Sequence, residues 1–207
     1  MQNKRYYRLR FWLFLVLGFG TVAGFAQSAT APKERQLLFS VFSTATQLPP
    51  TVITTPLHLG GTVGAEFRYN RQPLNQLFQT AKLGVSYHQY AQTAVQLYSE
   101  FGYRRMVWQG LGAEIRAGAG YLHTFPATEI FKLDNGRYTQ KRNFGRPQVM
   151  AGAALGLNYA LPGNTWIRRV FVDYQFFLQM PFVKNYVPLL PNTVLHLGVA
   201  CRFPNVK

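Results

Sequence analysis

A single cysteine, Cys201, is all that this 207-residue chain carries, and only seven Asp and Glu stand against 22 Lys and Arg. One thiol cannot close an internal disulfide, so a stapled secreted mini-domain is excluded. The shortage of acid leaves the chain basic, but its bases are scattered. With no dense basic run and no nucleic-acid motif, DNA and RNA are not expected as partners. Beyond residue 26 no unbroken apolar stretch is long enough for a spanning helix. Charge of either sign is scarce at 14% of residues, while aromatics reach 15% and glycines number 18. That combination needs an explanation.

The N-terminus points to export. MQNKRYYRLR carries Lys4, Arg5, Arg8 and Arg10, and the apolar run FWLFLVLGFGTVAGFA ends with Gly24 and Ala26 at the spacing a signal peptidase reads. Residues 1–26 read as a cleavable signal peptide and Gln27 as the mature N-terminus. The run is short for a bilayer span, is broken by glycine and is followed by small polar residues, which disfavours an uncleaved anchor. No cysteine follows the site to take a lipid. Without the four N-terminal bases, 18 remain against 7 acids, a net +11 on residues 27–207. That length suits one domain.

Strict alternation then runs through the mature chain. In LGAEIRAGAGYLHTF, residues 111–125, Leu111, Ala113, Ile115, Ala117, Ala119 and Tyr121 alternate with Gly112, Glu114, Arg116, Gly118 and Gly120. Similar segments set Leu59, Val63, Ala65, Phe67 and Tyr69 against His58, Gly60, Gly64, Glu66 and Arg68, and Leu83, Val85 and Tyr87 against Lys82, Gly84, Ser86 and His88. Leu97, Phe101 and Tyr103 oppose Glu100, Gly102 and Arg104; Val149 to Tyr159 oppose Gln148, Gly152, Gly156 and Asn158. Val170, Val172, Tyr174, Phe176 and Leu178 oppose Arg169, Asp173, Gln175 and Gln179, with Phe171 and Phe177 as exceptions on the polar row. Leu195, Leu197, Val199, Cys201 and Phe203 oppose His196, Gly198 and Arg202, and RQLLFSVFST precedes them all, giving eight strands.

Which row faces inward follows from length and glycine. Many segments run about ten residues, beyond the usual five or six of soluble sheets and suited to a tilted bilayer-crossing strand. Glycine weakens a water-facing strand without any packing use there, yet most strand glycines share the charged row. A narrow eight-stranded barrel needs small residues to alternate with a few large polar ones inside. The fold expected is therefore an all-β, eight-stranded antiparallel up-and-down transmembrane β-barrel spanning residues 27–207, its charged row inside and its apolar row toward lipid. Connections near RQPLNQ, MVWQG and LPGNT are the shorter set and read as periplasmic; the others read as extracellular. Tyr69, Tyr103, Tyr159 and Phe203 then form an aromatic girdle at the periplasmic ends of the strands.

In this architecture the chain resembles the small eight-stranded outer-membrane barrels of the OmpA-like and OmpX-like kind, over the whole mature length. The most specific match is HLGVACRF, residues 196–203, in which His196, Gly198, Cys201 and Phe203 fit the last-strand pattern read by the barrel assembly machinery, with Pro204 to Lys207 following where such chains usually end. The resemblance implies a bacterial outer-membrane location and the assembly machinery as a partner during biogenesis.

Several groups carry candidate chemistry. Glu66, Glu100, Glu114 and Asp173 share the interior row with Arg68, Lys82, Arg104, Arg116, Arg169 and Arg202, and opposite charges in a nearly dry space should pair into a network that fills the bore. FKLDNGRYTQKR holds Asn135-Gly136 between alternating arms, a hairpin signal that should extend the fifth and sixth strands above the membrane. Lys132, Arg137, Lys141, Arg142 and Arg146 make this loop basic, and lipopolysaccharide phosphates are the nearest anions. His58, His88 and His196 are expected at the outer mouth of the lumen, as hydrogen-bonded residues or, less simply, as a three-imidazole zinc site. No cofactor is implied.

Function is then expected to be non-enzymatic: a structural or loop-presenting outer-membrane barrel with a plugged polar lumen, in contact with outer-membrane lipid and lipopolysaccharide. Two alternatives stay open, a narrow pore and an enzyme of lipid A acyl-chain chemistry. The second needs a serine and a histidine set for acyl transfer. A His-x-Ser pattern is missing, since Gly60, Tyr90, Phe125 and Gly198 stand two places after the four histidines.

Overall fold

The alternation builds a closed wall. A computed structural model describes residues 34–49, 58–88, 92–126, 130–134, 137–141, 144–163, 166–182 and 188–203. Ten strands lie among them: β1 (Glu34–Ala45), β2 (His58–Arg68), β3 (Asn75–His88), β4 (Gln92–Trp108), β5 (Leu111–Pro126), β6 (Ile130–Asp134), β7 (Arg137–Lys141), β8 (Arg146–Ala160), β9 (Ile167–Met180) and β10 (Leu190–Arg202). Eight of them close into one antiparallel barrel in the order β1-β10-β9-β8-β5-β4-β3-β2. β10 closes on β1 through a ladder from Gln36↔Arg202 to Ala45↔Thr193, so every backbone edge of the wall is paired. The expected signal peptide, residues 1–26, lies outside the described residues.

One expectation about the loops is corrected. β6 and β7 pair with each other as a separate two-stranded sheet, Ile130↔Lys141 to Asp134↔Arg137, while the fifth and sixth barrel strands end at Pro126 and begin at Arg146. The hairpin forms around Asn135-Gly136, but it is not a continuation of the wall. Asn135, Gly136 and Arg142 themselves lie outside the described residues.

Strands also run further than hydropathy suggests, 17 residues in β4 and 16 in β5. Their turns are short at one end of the barrel. Gly110 and Gly163 turn the chain with φ of +86° each, a left-handed conformation that a side chain would oppose. This turn end also carries both chain ends of the wall, at Glu34 and Arg202.

Outside, the wall is an apolar belt. Val41, Leu59, Leu83, Leu97, Phe101, Ile115, Leu155, Leu157, Val172 and Leu197 are all exposed on the outward row. An apolar surface that encircles the molecule is far larger than any patch a soluble monomer exposes, so the belt is a lipid-facing surface. Tyr103 and Tyr159 are exposed at the turn end, with Trp108 and Trp166 beside them as girdle residues that alternation alone did not single out. Tyr69 is half-buried and donates through Oη to Gln79, and Tyr103 donates to Asn75.

Inside, the row is less polar than expected. Phe42, Phe78, Leu122, Met150, Phe171, Phe177 and Val194 are buried there with the charges. Glycine makes the room: Phe42 lies opposite Gly60, Phe78 opposite Gly102, Tyr98 opposite Gly120, Phe171 opposite Gly198 and Phe177 opposite Gly152. A Cβ at Gly102 would come within 2.5 Å of the Phe78 ring and 2.8 Å of Arg116 Cγ. The rings of Phe42, Phe78 and Phe171 lie over the bare backbone of Gly60, Gly102 and Gly198, the arrangement by which aromatics shield strand glycines, while at Gly120 and Gly152 it is the Cα and Cβ of Tyr98 and Phe177 that come close.

Candidate functional site

The lumen is stacked in layers, beginning with charge in its turn-end half. Arg104 forks onto Glu66 at 3.0 and 2.9 Å through Nη1 and Nη2, and its Nε reaches Glu114 at 2.8 Å. Arg169 also pairs with Glu66 and lies 3.8 Å from Glu114. Arg116 holds Asp173 at 2.5 Å, Glu114 at 3.4 Å and Glu100 at 3.6 Å, while Lys82 pairs with Glu100 at 2.7 Å. Four cations thus meet four carboxylates, none more than 7% exposed. Such a cluster is neutral as a whole, which is what allows so many charges to leave water together. Thr80, Gln76 and Gln175 add hydrogen bonds to Glu100, Arg104 and Glu100 respectively. The Phe78 ring lies 4.3 Å from the Arg104 guanidinium carbon.

Two of the ten residues expected in this network lie apart from it. Arg202 is exposed at the turn end, and Arg68 is half-buried there, donating to the Gln72 carbonyl at 2.5 Å. Both keep the inward row, but they sit at the last rungs of their strands, Gln36↔Arg202 and Glu34↔Arg68, below the carboxylates.

Above the charges the layers change character. His196 is buried at 3% exposure, sharing hydrogen bonds with Ser40 at 3.3 Å and Gln175 at 3.0 Å, and Ser40 reaches Thr62 at 2.5 Å. Next comes an apolar cluster of Phe42, Ala94, Tyr98, Leu122, Met150, Phe177 and Val194. Toward the loop end lies an amide layer: Thr124 donates to Gln148 at 3.1 Å, Gln179 to Gln148 at 2.7 Å, Asn192 to Gln179 at 3.3 Å, and Gln148 to the Pro181 carbonyl at 3.0 Å. The apolar and amide layers were not foreseen; Phe177 on the polar row was the signal for the first, and Gln148 and Gln179 on the same row for the second.

The three histidines do not gather at the mouth. β10 begins at Leu190, six residues before His196, so His196 lies halfway down the lumen, below the apolar cluster. His58 starts β2 opposite Thr44, half-buried; His88 ends β3 opposite Gln92, and its side chain lies outside the described residues. Among the described residues no group of three His, Cys, Asp or Glu is set to hold a metal ion. Gly198, of the assembly pattern, faces Ser40 and Phe171, and Cys201 is buried beside a register shift at Ala200 and Cys201. Phe203 is half-buried at the end of the wall. Lys132 lies on β6, Arg137 and Lys141 on β7, and Arg146 is exposed at the start of β8.

Acyl-transfer geometry has one partial match. Ser40, His196 and Gln175 form a hydroxyl–imidazole–amide chain, but its imidazole and amide are buried in the lumen and it ends on a neutral amide. His123, on the outward row, has both ring nitrogens engaged, by Tyr121 Oη at 2.7 Å and the Phe144 carbonyl at 2.9 Å.

No protein-family model matches the chain, and no curated protein matches it either. Solved structures are similar in form at low identity. Neisserial surface protein A gives a TM-score of 0.47 at 12% identity, over 82% of this chain and 96% of that one. The outer membrane enzyme PagL gives 0.45 at 12%, over 79% and 98%. Ail, the attachment invasion locus protein of Yersinia pestis, gives 0.44 at 10%, over 84% and 100%. The architecture itself stands on the closed ladder and the belt described above.

Proposed function

We infer that this chain, a small eight-stranded β-barrel of the outer-membrane kind, is a closed, non-enzymatic wall element that presents its loops at the cell surface. The observation that carries this reading is the lumen: an amide layer, an apolar cluster and a neutral ion-pair cluster stacked on one another. Each layer obstructs a solute for a different reason. The apolar cluster offers an ion no hydration, and the ion-pair cluster would have to be broken to let one through. The short turns face the periplasm in this reading, and the longer loops with the β6–β7 hairpin face outward.

Planar-bilayer recording of the purified protein tests it directly. The bilayer should stay silent, with no steady current; a large, constant conductance would replace the plug by a pore. Lipid A acyl-chain chemistry is the second reading, favoured only by the Ser40–His196–Gln175 chain. Mass spectrometry of lipid A from cells with and without the protein distinguishes the two, since loss or gain of an acyl chain would make the barrel an enzyme.

A further inference from the structure

Gly61 breaks the rule that strand glycines face the lumen. It lies on the outward row of β2, between Val41 of β1 and Val85 of β3, and a Cβ there would meet nothing closer than the Ser40 carbonyl at 3.7 Å. Among the described strand residues it is the one glycine facing lipid. Its missing side chain dents the belt. The dent belongs to a groove of about 710 Å³ walled by Phe39, Val41, Val63, Val85, Val170 and Leu197, within the ~300–1,000 Å³ typical of ligand clefts.

The groove has a direction and an end. It follows the cross-strand rungs Leu83↔Val63↔Phe39↔Val199↔Val170, descending from the middle of β3 toward the turn end of β9. Two residues before Val170 in the chain, at the register shift opposite Ala200 and Cys201, stands the exposed Arg168, with the exposed Trp166 close by at the turn end. Arg35 is exposed on the outward row of β1, two strands or roughly 10 Å across and two to three residues nearer the turn end, as the rungs Gln36↔Arg202 and Ala200↔Arg169 set it. The backbone N–H of Arg202 donates to the Trp166 carbonyl at 2.9 Å, tying this corner of the wall together.

Among the described side chains no carboxylate lies on this outer face. Glu66, Glu100, Glu114 and Asp173 are all inside and engaged by the lumen cations. An apolar trough that runs down to two exposed arginines at the turn end has the chemistry to take a lipid with an anionic head. We propose that this groove is a binding site for an anionic glycerophospholipid, with an acyl chain along Gly61 and the phosphate between Arg168 and Arg35. Arginine suits that role through its forked, permanently charged donors. The site rests on the orientation proposed above, in which the turn end faces the phospholipid leaflet.

Native mass spectrometry of the full-length protein, released from detergent after exposure to equal phosphatidylglycerol and phosphatidylcholine, tests the assignment. Phosphatidylglycerol should be retained about thirtyfold over phosphatidylcholine, from two interfacial arginines. R35Q with R168Q should abolish the preference, while G61L should lower retention of both lipids. Gly61 has room for a side chain, so a folded G61L barrel, seen by its heat-modifiable gel mobility, is expected. Equal retention of the two lipids, an unchanged preference in the double arginine variant, preferred retention of lipopolysaccharide, or dimers in place of lipid adducts would each overturn the proposal. None of these outcomes bears on conductance, so the closed-barrel reading stands or falls separately.

Discussion

Glu66→Gln is the sharpest probe of the lumen. The carboxylate is 2% exposed and accepts from Arg104 at 3.0 and 2.9 Å and from Arg169. Glutamine keeps the shape and one acceptor oxygen but leaves four cations against three carboxylates. Breaking one side of a buried ion pair costs about 3–5 kcal/mol; the retained acceptor and the remaining Arg104–Glu114 contact at 2.8 Å place this case near ~3 kcal/mol. Against a typical stability of about 5–15 kcal/mol, that is a large share. Urea unfolding in phospholipid vesicles, followed by the fluorescence of Trp108 and Trp166, should show a lower midpoint at unchanged slope. Adding Arg169→Gln restores neutrality, and the double variant should recover about 1–3 kcal/mol relative to additivity. A loss under about 1 kcal/mol for the single variant is the value of a solvated pair. That result would mean a wet lumen and would refute the dry-plug argument.

Gly102→Ala should destabilise the wall by about 1–3 kcal/mol through overpacking against Phe78 and Arg116, and Phe78→Leu in the same chain should recover part of the loss in the same unfolding assay. Phe177→Ala removes a ring that is 3% exposed in the apolar cluster and should cost about 3–5 kcal/mol; bilayer recordings should nonetheless stay silent, because the ion-pair cluster lies beneath, and current from this variant alone would place the whole seal in the apolar layer. Neutralising Lys132, Arg137, Lys141, Arg142 and Arg146 together should weaken binding to lipopolysaccharide-containing vesicles at low salt, with the difference vanishing at high salt; equal binding at low salt would leave the loop merely solvated.

The wall was legible in the sequence because alternation is local. Parity alone assigns Glu114, Arg116 and Gly118 to one side and Ile115 and Ala117 to the other, and the burial pattern follows that division along β5. Depth in the lumen is not local. His196 reads as the start of its strand because Pro191 and Asn192 look like loop, yet β10 already pairs with β9 at Leu190↔Gln179. The ladder, set by strands on both sides, overrides the residue preference. The same limit hid the layers: nothing in a single strand tells that Phe42, Leu122, Met150 and Phe177 arrive at one height while Glu66, Arg104, Glu114 and Arg169 arrive at another.

Glycine is where the local and the nonlocal meet. A one-residue slip between neighbouring strands would throw every charge onto the lipid face, so parity forbids it. A two-residue slip keeps the faces, and parity has nothing to say against it. The opposed pairs do. In the observed register Phe177 stands opposite Gly152, where an added Cβ would come 2.7 Å from its own Cβ; moved by two it would meet Met150 or Ala154, both already buried. Phe42 over Gly60, Phe78 over Gly102 and Phe171 over Gly198 impose the same condition on three other strand pairs. Large side chains and bare backbone therefore act as matched halves that select one register from those the hydropathy pattern allows, and the register in turn brings the four carboxylates level with the four cations. The abundance of glycine and the scarcity of charge are consequences of one requirement, that a narrow barrel close in a single register.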